Sequence, residues 1–183
     1  MKIYKSVILK EGKYIRLLRQ GEWEFVQRSN CTGVVIILAL TEDNKVIFAE
    51  QYRRPVRKNV IEFPAGLVND HGLKHNESIM TAAKRELFEE TGYRAQRIVK
   101  ILQGPVSSGL TSDQVTMVRA FGLKKIGRGG GDETEGITIH EVPLKSASKW
   151  LNQIQKKGRL VDPKVYAGLY FLTNERNGQK GNG

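Results

Sequence analysis

Residues 77–92 read Glu77-Ser78-Ile79-Met80-Thr81-Ala82-Ala83-Lys84-Arg85-Glu86-Leu87-Phe88-Glu89-Glu90-Thr91-Gly92. Ile79, Met80, Ala83 and Leu87 recur at helical spacing and form an apolar stripe. The spacing predicts a helix over Glu77–Glu90, with Asn76 as its N-cap and Gly92 as its stop. Glu86, Glu89 and Glu90 then share one side of that helix, three or four residues apart. Like charges so placed repel unless something neutralises them. Arg85 can pair with Glu89 one turn on. A cluster of hard oxygen donors suits Mg²⁺ or Mn²⁺, which keep several waters and complete their shells with phosphate oxygens. The alternative for such a cluster is a solvated helix laced with ion pairs.

Upstream of the helix, Thr32–Leu40 is an apolar strand, Glu42-Asp43-Asn44 a turn, and Lys45–Glu50 the expected hairpin partner. A basic segment, residues 51–58, leads to a short strand at Val60–Phe63, which Pro64-Ala65-Gly66 breaks. Downstream, strands are expected at Arg97–Leu102, Gln114–Phe121 and Gly136–Val142. Four glycines in Gly127–Gly131 predict a mobile loop. An amphipathic helix follows at Ser146–Lys157, and a last helix starts at Asp162-Pro163. The first 28 residues alternate apolar and polar side chains between short turns, the pattern of a three-stranded antiparallel meander. So small a sheet is marginal alone. The predicted fold class is α+β, an α/β/α sandwich with a small N-terminal antiparallel sheet.

The chain of 183 residues carries 30 Lys and Arg against 19 acids, a net charge of +11. Residues 1–28 hold +4 of this excess and residues 145–183 hold +6, so the middle is almost neutral at +1. No aromatic-interleaved basic motif accompanies the charge, which argues against nucleic acid as a partner. No run approaches the roughly 18 apolar residues of a membrane span, and the N-terminal stretch lacks a signal-peptide pattern. With Cys31 the single cysteine, no internal disulfide can form, and a reducing cytoplasm is expected. Cys31 and the histidines His71, His75 and His140 show no metal-ligand spacing.

Glu77, seven residues, then Arg85-Glu86-Leu87-Phe88-Glu89-Glu90-Thr91-Gly92 resembles the Nudix box, with Gly66 as its opening glycine and Tyr93 at its final hydrophobic position. Ten residues separate Gly66 from Glu77, where the box usually has five. The extra five fall in a polar loop, so the register from Glu77 onward is intact. Trp23-Glu24-Phe25-Val26-Gln27-Arg28, Glu50-Gln51-Tyr52-Arg53-Arg54-Pro55 and Ile61-Glu62-Phe63-Pro64-Ala65-Gly66 resemble the ADP-ribose (ADP-sugar) pyrophosphatase branch. Ser108 stands where that branch often carries a proline.

The resemblance implies a Mg²⁺-dependent pyrophosphohydrolase, with Mn²⁺ the alternative ion. It would cleave ADP-ribose or a related nucleoside diphosphate sugar. Metal ligation falls to Glu86, Glu89, Glu90 and the Ala65 carbonyl. Catalysis falls to Glu133 and Glu135, of which one is the base, and to Arg85, which holds Glu89. The glycines at 127–131 would let the acidic loop close over substrate. Arg53, with Arg54 beside it, would contact phosphate, and Trp23 would stack on adenine with Arg28 nearby. A homodimer is expected. The organisation implied is an N-terminal element at 1–30 serving the dimer and substrate site, a catalytic domain at 31–175 and a flexible tail at 176–183. Rival readings are a hydrolase of RNA 5′ ends, caps or dinucleotides, and a non-catalytic nucleotide-sugar sensor.

Overall fold

Two apolar strands lie at the centre of the molecule because both of their faces are covered. In the computed structural model, which describes residues 4–70, 76–131 and 136–178, strand β4 (Gly33–Ala39) buries Val35 and Ile37 toward one side and Ile36 and Leu38 toward the other. A strand buried on both faces reads as a continuous apolar run instead of an alternating one. β5 (Lys45–Arg53) begins the same way and ends in exposed polar residues.

The meander forms as expected, from β1 (Val7–Glu11), β2 (Ile15–Gln20) and β3 (Trp23–Arg28). The remaining strands are β6 (Lys58–Glu62), β7 (Ala65–Val68), β8 (Tyr93–Pro105), β9 (Gln114–Lys125), β10 (Thr138–Pro143) and β11 (Leu160–Val161). They build two four-stranded sheets, ordered β7-β4-β9-β8 and β10-β5-β6-β11. Helix α1 (Ile79–Thr91) packs Ala82, Ala83 and Leu87 on one side of the first sheet, against Val35, Ile37 and Val118. Helices α2 (Ala147–Lys156) and α3 (Pro163–Gly178) contribute Leu151, Val165 and Leu172 to a second core with Ile36, Phe48 and Phe63. The mixed sheets with helices are the α+β sandwich predicted. No helix among the described residues is long and apolar enough to cross a membrane.

Several local expectations change. β4 and β5 are not hairpin partners. Their turn closes normally, with the Thr41 N–H donating to the Lys45 carbonyl at 2.9 Å. However, β4 already has β7 on one edge and β9, in parallel, on the other, so β5 crosses into the second sheet. Pro64-Ala65-Gly66 ends β6 but starts β7, a strand whose four residues are too few to show a period. β11 is shorter still. α3 runs to Gly178, into the stretch from residue 176 onward expected to be a flexible tail. The glycine run is no loose loop at 127–131. It lies along the last turn of α1, hydrogen-bonded to its carbonyls.

The N-cap of α1 is Ser78, not Asn76. Ser78 is extended (φ −77°, ψ 155°), and its Oγ accepts from the Thr81 N–H at 3.1 Å. Glu77 is excluded from the helix because its carboxylate is held by Arg85 and by the Asn69 N–H. Gly92 closes the helix as expected, at φ 73°. In urea titrations Ser78→Ala should lower the unfolding free energy by about 1 kcal/mol, and Asn76→Ala should leave it unchanged. The opposite order would return the cap to Asn76.

Candidate active site

Arg85 is the hub of the polar face of α1. Its Nε donates to Glu77 Oε1 at 3.0 Å, and one terminal nitrogen reaches Glu77 Oε2 at 3.1 Å, a bidentate fork. That nitrogen also meets the Leu67 carbonyl at 3.0 Å and Asp70 at 3.3 Å. The other terminal nitrogen bridges Glu86 at 2.8 Å and Glu89 at 3.1 Å. The expected pair with Glu89 is therefore present, and five further contacts join it. With all three nitrogens committed to protein acceptors, Arg85 acts on the glutamates and on the loop after β7, and is a positioning residue for the site.

β7 is pressed against α1 at this point. A Cβ on Gly66 would lie 1.9 Å from the Glu86 carboxyl carbon, so only glycine leaves room for that carboxylate. One residue earlier, the Ala65 N–H donates to Glu90 Oε2 at 3.2 Å. Desolvation dominates at Glu86 and pushes its carboxyl up to about 7, with Glu89 and Asp70 adding repulsion and Arg85 opposing it. A buried carboxylate in that condition gains from any further positive charge.

A cleft of about 620 Å³ opens over these groups. Ala65, Arg85, Glu86, Glu89 and Glu90 line it, and Arg28 and Arg53 bring positive charge to the same space. Arg53 is held by Glu62 at 2.7 Å across the β5–β6 pair, so Glu62 orients this arginine. Arg28 pairs with Asp113 at 3.1 Å and also borders a smaller cavity of about 280 Å³, where burial pushes the Cys31 thiol up. Arg54 is exposed in the β5–β6 turn and does not line the cleft. Trp23, 61% exposed, also stands outside it. Five residues before Arg28, it sits roughly 17 Å away along β3, its Nε1 donating to the Gly109 carbonyl at 3.1 Å. Glu133 and Glu135 lie outside the described residues, as do His71 and His75. His140 is structural, bonded to the buried Glu50 at 2.8 Å.

Several cleft residues, Gln51, Asp70, Val34 and Leu67 among them, are not singled out by the sequence, which marks Gly131 only as part of a closing loop. Gln51 shares the Arg53 face of β5 and was discoverable from the period of two. Asp70 and Gly131 come from irregular chain, where no period points to a site.

These features have counterparts in known proteins. A model of the NUDIX domain matches residues 30–161. The chain belongs to the Nudix family. It is accordingly a Nudix hydrolase. The ADP-ribose pyrophosphatase of Bacillus subtilis (strain 168) is 35% identical over 141 residues, covering 76% of this chain and 71% of that protein. The methanol dehydrogenase activator of Bacillus methanolicus is 33% identical over the same extents. A GDP-mannose pyrophosphatase of Yersinia pestis (strain Pestoides F) is 28% identical over 177 residues, covering 93% of this chain and 84% of that one. The crystal structure of an ADP compounds hydrolase superposes with a TM-score of 0.72 over 97% of this chain and 95% of that chain. At 19% identity that likeness speaks for the fold alone.

The donor set of this Nudix chain fits a divalent cation. Carboxylate oxygens gather beside a backbone segment, and one of them is desolvated enough to hold a proton near neutrality. Among the described residues no three acidic, His or Cys side chains are yet drawn together around one point. The reason is visible: Arg85 holds Glu86 and Glu89, and the Ala65 N–H holds Glu90.

The raised Glu86 carboxyl has a consequence for stability. The folded protein keeps a proton that the unfolded chain has released, so stability without metal falls as pH rises from about 4.5 to about 7. Thermal unfolding in the presence of a chelator should show that decline, and Glu86→Gln should flatten it. Parallel curves for the two proteins would place the decline elsewhere.

Proposed function

We propose that the protein hydrolyses ADP-ribose or a related nucleoside diphosphate sugar to a nucleoside monophosphate and a sugar phosphate, with Mg²⁺ as its ion and Mn²⁺ as a substitute. The observation that carries this reading is the opposition of charges in one cleft: Glu86, Glu89 and Glu90 on α1 face the same space as Arg28 and Arg53. The acidic side suits a cation and the basic side suits phosphates. The names of two relatives, an ADP-ribose pyrophosphatase and a GDP-mannose pyrophosphatase, support the substrate class.

Glu86, Glu89, Glu90 and the Ala65 carbonyl would hold the ion. When bound, it neutralises the diphosphate and lowers the pKa of a coordinated water. Glu133 or Glu135 takes the proton from the attacking water. The water oxygen forms a new bond to one phosphorus, and the bond from that phosphorus to the bridging oxygen breaks. The leaving phosphate keeps the electron pair. Arg53, steadied by Glu62, offsets the charge gathering on these oxygens, and Arg54, exposed in the adjoining turn, adds positive charge beside it. Arg28 lines the cleft, and Trp23, which stands outside this chain's own cleft, would stack on the base bound by a second copy of the chain.

Residues 1–30 are read as a dimer and substrate-site element, 31–175 as the catalytic domain and 176–183 as a tail, whose first three residues continue α3. Val7, Ile8, Ile15 and Trp23 leave about half or more of their surface exposed on the small sheet. Apolar side chains left exposed on a sheet that is marginal alone favour a second copy of the chain, hence a homodimer. A cytoplasmic setting follows from the single cysteine.

Incubation with a panel of nucleoside diphosphate sugars and Mg²⁺ in oxygen-18 water tests the reaction. Phosphorus NMR should show one labelled monophosphate product, and Glu90→Gln should reduce turnover by orders of magnitude with the fold retained. Near-normal turnover in that variant would remove Glu90 from the ion site. Trp23→Ala should raise KM more than it lowers kcat for substrates carrying adenine. An equal change whatever the base would exclude stacking.

A further inference from the structure

The C-terminal end of α1 has a second backbone laid along it. Gly92 donates to the Phe88 carbonyl at 2.8 Å and turns the chain away, which would leave the following carbonyls without partners. Instead, the Gly131 N–H donates to the Glu89 carbonyl at 3.1 Å and the Gly130 N–H to the Glu90 carbonyl at 2.6 Å. The Ile126 and Gly127 N–H groups both donate to the Gly92 carbonyl, at 2.9 and 3.1 Å. The two backbones are so close that a Cβ on Gly129 would lie 2.3 Å from the Thr91 carbonyl carbon. Gly129, Gly130 and Gly131 have φ of 69°, 111° and 71°, a region that side chains rarely enter. Glycine is required at Gly129 both for space and for dihedral angle, and at Gly130 and Gly131 for dihedral angle.

We propose that Gly129, Gly130 and Gly131 are positioning residues for the cation site. Their segment binds the peptide groups of the same two residues, Glu89 and Glu90, whose carboxylates face the cleft, and Gly131 itself lines that cleft. This rests on the reading of Glu89 and Glu90 as cation ligands. The last turn of a helix opens more readily than its middle, so a ligand pair located there needs an external brace. The glycine strap is that brace. Linkage makes the effect mutual: a cation that fixes the two glutamates must also tighten the strap.

Amide hydrogen exchange on the full chain, with and without Mg²⁺, reads the second half of that relation without any turnover. Exchange at Gly130 and Gly131 should slow when Mg²⁺ is added. The first half is read from Mn²⁺ affinity, by electron paramagnetic resonance of the free ion. Gly129→Ala should weaken it about tenfold, and so should Gly130→Ala. In Gly130→Ala the added methyl has only the Ile137 carbonyl within reach, at 3.9 Å, so it acts through the dihedral and not through a clash. Gly104→Ala, with nothing within 4 Å of the new methyl, should bind Mn²⁺ as the parent does. Unaltered exchange at Gly130 and Gly131, or parental Mn²⁺ affinity in the folded Gly129→Ala and Gly130→Ala proteins, would overturn the proposal. A parent protein that binds no Mn²⁺ would instead remove the cation site, and the strap's role with it.

Discussion

One partly buried guanidinium holds the site together. Arg85 ties Glu77, before the helix, to Glu86 and Glu89 within it, and reaches the Leu67 carbonyl and Asp70 on the chain leaving β7. Its side chain is 19% exposed, so these bonds act in a medium that screens less than water. Removing one partner from a buried charge network commonly costs about 3–5 kcal/mol, chiefly because the others lose their compensation. The same arginine also offsets the repulsion among carboxylates that a bare helix could not carry. Helix register, loop position and ligand orientation therefore share one set of bonds.

That hub works only because two backbones come very close to α1. At one side β7 passes so near that Gly66 leaves room for Glu86, and the Ala65 N–H meets Glu90. At the C-terminal end the strap from Ile126 to Gly131 satisfies carbonyls that a lone helix would leave to water. Both approaches depend on β4, whose doubly buried residues hold the first sheet beneath the helix and the second core behind it. Packing, in this sense, sets the precision of the polar groups.

Opposed charge gives the cleft its chemical character. Arg53 is paired with Glu62 and Arg28 with Asp113, both partly exposed ion pairs. The carboxylates of α1 rest on Arg85 and on the Ala65 N–H. The cleft therefore holds both signs of charge, each neutralised by a neighbour.

Much of this was legible in the chain itself. The period of Ile79, Met80, Ala83 and Leu87, the glycine stop at Gly92 and the spacing of Glu86, Glu89 and Glu90 are local properties, and they determined the helix and its carboxylate face. The alternation of residues 1–28 likewise determined the meander. Strand partners were a different matter. Whether β5 pairs with β4 depends on which edges β7 and β9 have already taken, and no window of sequence contains that information. The cap passed to Ser78 because Arg85, seven residues on, captured Glu77. Glycines 127–131 looked free because their partners lie some forty positions earlier, at Glu89 and Glu90. Periodicity reports neighbours along the chain; close approach between distant segments was decided by the tertiary structure alone, since it depends on which surfaces the core brings together.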